Sequence, residues 1–134
     1  MLDPAKPDHG CYTNDGLSDL TNSVWHVPTA KPLIFLEFGA DAKSGFHAGA
    51  NPQKFSQEFQ AESYRQTLAV ADKLPMLRGL SLWTLKDFRS PRGQNRDFQM
   101  GWNHKGLILE TGRHKQVVDV LARYYLVKAS AANR

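Results

Sequence analysis

Glu37 sits near the end of an apolar, β-branched run, Leu33-Ile34-Phe35-Leu36-Glu37-Phe38-Gly39. A strand that ends in an acid and then a glycine presents a carboxylate at the rim of a sheet. There the group can be a nucleophile, a base or the ion-pair partner of a nearby basic residue. A second run, Leu80-Ser81-Leu82-Trp83-Thr84-Leu85-Lys86-Asp87-Phe88, also ends in polar and aromatic groups. Trp83 is a flat apolar plate of the kind that lines sugar and base sites, although a tryptophan on a strand is more often core. Asp41, Asp87 and Asp97 lie on the loops that would surround Glu37. Each could act as an acid if burial or Glu37 itself raised its pKa. Asn103 and Lys105 carry donors that could hold the hydroxyl or carboxylate groups of a ligand, and Asn-x-Lys-Gly alone is also an ordinary turn. Trp102 and His47 complete the candidate ligand contacts. Glu58 and Glu62, four apart on a predicted helix, could lie side by side, but carboxylates in mid-helix usually face water.

The elements that must position these groups follow from periodicity and punctuation. A strand is expected over Leu33–Phe38, entered through Pro28 and Pro32, because proline at the start of a strand costs no ladder hydrogen bond. Its residues are nearly all apolar, so both faces are expected to be buried, as in a parallel sheet. Gly39 to Pro52 reads as a long loop of small residues at the carboxyl end of that strand, where function tends to sit. A helix is expected from about Ser56, its N-cap, to Lys73, with Phe59, Tyr64, Leu68 and Ala71 on one face and Pro75 closing it. The second strand is expected over Leu80–Thr84. Lys86 to Trp102 is long for a structureless connection and reads as a functional loop. After a turn at Glu110-Thr111-Gly112, a last helix is expected over about Lys115–Val127. Its apolar side carries Val117, Val118, Val120, Leu121, Tyr124 and Tyr125. Residues 1–30 read as an irregular segment with one short helix at Asp15–Val24, residues 31–127 as the folded unit, and residues 128–134 as a frayed end.

Composition removes several alternatives. The chain has 134 residues, of which 41% are apolar and 22% charged, so neither disorder nor low complexity is indicated. Lys plus Arg is 17 against 13 Asp plus Glu, a formal charge of +4. The excess is small and scattered, densest at Arg89, Arg92 and Arg96, and does not argue for a nucleic-acid partner. Cys11 stands alone, so no disulfide framework exists within one chain. The five histidines show no ligand spacing, and neither a metal nor another cofactor is expected. No apolar run approaches the length of a membrane helix, and the N-terminus lacks the apolar stretch of a signal peptide. The expectation is a soluble, cytoplasmic protein.

The motifs mean more as an ordered series. Leu36-Glu37-Phe38-Gly39, Glu58-Phe59-Gln60-Ala61-Glu62-Ser63-Tyr64, Leu77-Arg78-Gly79, Trp83-Thr84-Leu85-Lys86-Asp87-Phe88-Arg89-Ser90-Pro91-Arg92 and Trp102-Asn103-His104-Lys105-Gly106-Leu107 follow one another. Over about residues 31–126 the series resembles the C-terminal part of the catalytic barrel of glycoside hydrolase family 2, the family of β-galactosidases, β-glucuronidases and β-mannosidases. The resemblance implies an α/β fold, a partial (β/α) barrel of about two βα units corresponding to barrel strands seven and eight. It implies that Glu37 is the nucleophile, that Trp83 lines the sugar site, and that Asn103 and Lys105 form an Asn-x-Lys pair. In β-glucuronidases such a pair contacts the sugar's carboxylate, and similar segments occur in members with other substrates.

The resemblance also shows what this stretch lacks. A retaining glycosidase uses two carboxyl groups about 5–5.5 Å apart. In this family the second follows an asparagine, and the chain contains no Asn-Glu dipeptide. Asp87, near the tip of the adjacent strand, is the candidate stand-in as acid and base. A complete barrel needs about 250 residues, and two βα units leave open edges that pair with other chains. Self-association into a homo-oligomer is therefore expected, with complementation of a separate partner chain as the alternative. The expected activity is hydrolysis of β-glycosides through Glu37. The alternatives are an inactive barrel fragment that binds carbohydrate through Trp83, Trp102 and Asn103, or a nucleic-acid or protein-binding module that uses the arginines.

Overall fold

The computed structural model describes residues 31–91 and 96–133, with Arg96 and Asp97 described by backbone alone. The irregular segment and short helix expected within residues 1–30, and the side chains of Arg92, Arg96 and Asp97, lie outside the described residues.

Strand β1 spans Leu33–Phe38, as its apolar run predicts. It leads through a pinned loop into helix α1, Gln57–Ala71. Ser56 caps that helix, its Oγ accepting the Phe59 amide at 3.1 Å, and the Asp72 amide closes the far end on the Leu68 carbonyl. The chain then returns as β2, Leu77–Leu82, which pairs parallel to β1. The strand begins three residues before the expected Leu80 and ends before Trp83. Leu77-Arg78-Gly79 joins the ladder because Leu33 and Ile34 offer it partners across the sheet. A parallel pair joined by a helix is one βαβ unit.

The expected loop from Lys86 to Trp102 is more ordered than its composition suggests. Strand β3, Phe88–Arg89, pairs antiparallel with β4, Trp102–Asn103, and a one-turn helix α2, Arg96–Gln99, lies between them. Helix α3 then runs over Val117–Ala132, five residues past the expected end at Val127. On this helix Lys128 pairs with Asp72 at 2.7 Å and Tyr124 donates to the same carboxylate at 2.6 Å. α1 and α3 pack together on one face of β1 and β2. The core between them is Phe38, Tyr64, Leu68, Leu107, Val117 and Leu121, with Leu80 and Leu82 packed against it. No described helix is long and apolar enough to cross a membrane.

Among the described residues the other face of the sheet is open, which corrects the expectation that both faces of β1 are buried. Ile34 is 55% and Leu36 74% exposed. Among the described residues both long helices lie on one side of this two-stranded parallel sheet, and none covers the second side.

Candidate active site

The β1–β2 register explains where Glu37 points. Phe35 pairs with Leu80 and Phe38 with Leu82, so two residues of β1, Leu36 and Glu37, oppose the single residue Ser81. Paired residues share a face. Leu80, Leu82, Phe35 and Phe38 therefore face the helices, while Ile34, Leu36 and Glu37 face outward, as their exposures agree. Strict alternation would have put Leu36 and Phe38 on the same side. The bulge instead buries Phe38 against Tyr64, ring centroids 5.1 Å apart, and leaves Glu37 on the open face.

The two strand tips are joined directly above this bulge. The Trp83 amide donates to the Phe38 carbonyl at 2.8 Å. Gly39 lies so close to Trp83 that a Cβ there would collide with the Trp83 carbonyl oxygen. Trp83 is 41% exposed, and its ring meets Phe88 edge-on at 6.3 Å.

Asn103-His104-Lys105-Gly106 is stitched to both tips. The Ala42 amide donates to the His104 carbonyl at 2.9 Å, and the His104 amide donates to Asp41 at 3.2 Å. On the other side the Thr84 amide donates to the Lys105 carbonyl, and the Leu107 amide to the Thr84 carbonyl. From below, the buried Gln60 amide of α1 donates to the carbonyls of Ala40 and Gly106. Glu37, Trp83, Asn103 and Lys105 thus come from chain segments joined at one end of the sheet, the end that carries the chemistry in parallel barrels.

Asp87 anchors this assembly and is itself buried, 3% exposed. Its Oδ1 accepts the Gly106 amide at 2.9 Å and the Lys115 ammonium at 2.8 Å, and its Oδ2 meets His104 Nδ1 at 3.2 Å. A Cβ at Gly106 would strike Asp87, so the glycine of Asn-x-Lys-Gly answers a close approach rather than a simple turn. Burial pushes the Lys115 amine below its usual range, and Asp87 opposes that shift. Asp87, the expected stand-in as acid and base, is thus found buried and hydrogen-bonded. Its Oδ1 accepts two donors and its Oδ2 contacts the His104 ring, an arrangement that suits holding the backbone around Gly106.

Two other candidates, Trp102 and His47, have partners of their own. In the β3–β4 ribbon Phe88 pairs with Asn103 and Arg89 with Trp102. Trp102 therefore shares a face with Arg89, whose guanidinium stacks 4.5 Å from its ring centre, while Asn103 shares the opposite face with Phe88. His47 is a surface residue whose Nδ1 lies 2.8 Å from Glu58, a carboxylate that also accepts the Ala48 amide. Burial alone would raise the Glu58 carboxyl, but these hydrogen bonds hold it below the usual range. Glu58 thus secures the loop after β1, while Glu62 binds Arg65 and Gln66 on α1, so the two acids are not a pair. The same loop is pinned by a bridge between Ala42 and Phe55, whose ring stacks on Phe98 at 3.9 Å.

Sequence reasoning missed Phe88, Gln60 and Lys115 as parts of the site. Phe88 carried a readable signal, since it follows the second strand within the aromatic run that begins at Trp83. A buried lysine just ahead of a helix, and a glutamine inside one, look in sequence like solvated residues.

No protein-family model matches the chain. It is 35% identical over 128 residues to a β-glucuronidase of Streptococcus agalactiae, covering 88% of this chain and 20% of that protein. It is 33% identical over 103 residues to one from Paenibacillus borealis, covering 77% of this chain and 16% of that one. The fold matches a β-glucuronidase structure from Faecalibacterium prausnitzii with a TM-score of 0.64 at 33% identity, over 72% of this chain and 16% of that one. It matches a family 2 β-galacturonidase from Eisenbergiella tayi, bound to galacturonate, with a TM-score of 0.73 at 25% identity, over 85% and 21%. The chain thus spans at most about a fifth of the length of the relatives and structures it matches. Within that span, the chain belongs to glycoside hydrolase family 2 as a partial α/β segment.

Proposed function

We propose that the chain supplies the nucleophile-bearing part of a retaining β-glycosidase site for sugar acids. Glu37 attacks the anomeric carbon and forms a glycosyl ester as the leaving oxygen takes a proton, and water then hydrolyses the ester. Trp83 and Phe88 form the apolar wall for the ring. The Asn103 amide and Lys105 ammonium receive the sugar's carboxylate. The observation that carries this reading is the bulge at Leu36–Glu37, which turns the acid to the open face beside Trp83. The β-glucuronidase and β-galacturonidase relatives support a uronic-acid sugar.

The described acids nearest the site, Asp41 and Asp87, both already accept hydrogen bonds. Asp41 accepts the His104 amide and Asp87 is held by Lys115, Gly106 and His104. Substrates with good leaving groups depend least on proton transfer to the leaving oxygen. The exposed Ile34 and Leu36 are the counterpart of residues that fill the centre of a closed barrel. We read this face and the free sheet edges as the surface through which copies of the chain associate. A separate chain carrying the remaining strands is the second reading.

The test is hydrolysis of aryl β-D-glucuronide, β-D-galacturonide, β-D-galactoside, β-D-glucoside and β-D-mannoside by the purified chain beside Glu37→Gln. Uronide hydrolysis in the parent that is lost in the variant supports the reading. Equal rates in both remove Glu37 from the mechanism.

A further inference from the structure

We infer that Lys115 is a positioning residue that acts through Asp87 to hold Asn103 and Lys105 in the orientation a sugar acid needs. The inference rests on the uronic-acid reading for its ligand and on the hydrogen-bond pattern for its geometry.

The Lys115–Asp87 pair is the most deeply buried ion pair among the described residues, with side chains 0% and 1% exposed. A buried pair of this kind is weak grounds for stability, because apolar side chains of similar volume often serve as well. Its directional bonds distinguish it. Lys115 Nζ donates to the His104 carbonyl at 2.8 Å as well as to Asp87. Asp87 takes the Gly106 amide and the His104 ring. The Lys115 amide donates to the Leu107 carbonyl, tying the same residue to the strand-like stretch beyond. Bonds to the backbone therefore grip His104 and Gly106 on either side of Lys105. The Lys105 amide satisfies Asn103 Oδ1 at 3.0 Å, so the Asn103 NH2 group is the one left to donate to a ligand. The pair fixes a short piece of backbone that carries two half-buried side chains, Asn103 and Lys105, both able to donate. Such arrangements fail by small displacements of the groups they hold, long before the fold is lost.

The experiment uses the isotope-labelled full chain and the double variant Lys115→Met/Asp87→Leu, which removes both charges so that neither is stranded. Backbone amide shifts are recorded, and free D-glucuronate is titrated as the probe. The expected result is shift changes centred on Asn103–Gly106, with β1 and α1 unchanged, and D-glucuronate binding weaker by about tenfold or more. Unchanged shifts and affinity overturn the inference. Changes spread through both helices and the sheet also overturn it, because the pair would then be a general support. Where the parent itself does not bind D-glucuronate, the uronic-acid reading falls, and the positioning role is decided by the amide shifts under the same criterion. Lys115→Gln, which keeps a donor for the His104 carbonyl, is the milder variant should the double one fail to fold. It is expected to show the same local pattern at smaller amplitude, and no local change in it overturns the inference.

Discussion

Phe88 and Asn103 stand opposite each other across the antiparallel ribbon, and the next pair, Arg89 with Trp102, takes the other face. Adjacent residues of the ribbon thus present their side chains to opposite faces, and on the proposed reading only the Phe88 face meets the sugar. An aromatic contact of this kind contributes about 0.5–1.5 kcal/mol beyond area burial. Phe88→Ala should weaken sugar-acid binding by about threefold to tenfold. Trp102→Ala should change binding by less than about twofold and cost roughly 0.5–1 kcal/mol of stability through the lost Arg89 stack. Calorimetric titration with D-glucuronate beside thermal melts checks both. The reverse pattern would return Trp102 to the ligand and remove Phe88.

Local periodicity carried the larger elements. Leu33–Phe38 and the Ser56 cap stand where their residue types predict. Backbone accidents did not show. The bulge at Leu36–Glu37 leaves no mark in a run where every neighbour is apolar, yet it decides that Glu37 and not Phe38 faces outward. The β3–β4 ribbon has two residues a side, too few for any alternation to be read. Lys115 enters the interior because Asp87, twenty-eight positions earlier, waits there. That long-range partner is what a pattern read along the chain does not contain. The Asn-x-Lys-Gly glycine was visible, but its reason, the approach of Asp87, was not.

Self-association through the open face has a direct test in Ile34→Thr/Leu36→Ser. Both side chains are exposed, so the change should alter monomer stability by no more than about 0.5 kcal/mol. It should also shift the sedimentation profile from a dimer or larger species to a monomer. A parent chain that already sediments as a monomer would end the self-association reading and leave complementation by a separate chain. An unchanged oligomer in the variant would move the interface to another surface, such as the exposed Tyr125, Leu126 and Val127 of α3.

Acid should loosen the loop after β1 before it loosens the core. The Glu58 carboxyl lies below its ordinary value near 4.5: burial raises it, and the Ala48 amide and His47 more than offset that. A depressed folded-state pKa contributes stability that is fully present above the ordinary value and is lost as pH falls through the lowered one. Amide exchange at Phe46–Ala48 should therefore accelerate as pH drops below about 4.5, after correction for the intrinsic rate. In Glu58→Gln the loop should already exchange faster at neutral pH and show a flatter pH response. A wild-type acid response in that variant would assign the transition to another carboxyl.

Tyr64 predicts a substitution that should cost little. Its ring is fully buried and packs on Phe38, while its hydroxyl has no hydrogen-bond partner among the described residues. Burial pushes the phenol well above its usual range. A buried polar group left unpaired carries a desolvation penalty of about 1–3 kcal/mol. Tyr64→Phe keeps the ring and removes that group, but it also leaves a small void beside Gly39, near which the hydroxyl lies. The two effects oppose each other. The desolvation term is the larger for a single oxygen, because each lost atomic contact is worth only about 0.1–0.2 kcal/mol. The melting temperature of Tyr64→Phe should equal or exceed that of the parent. Tyr64→Ala, which empties the whole ring site, should destabilise by roughly 3–5 kcal/mol. A loss above about 1 kcal/mol in Tyr64→Phe would mean that the hydroxyl is bonded in solution, to water or to a group beyond the described residues.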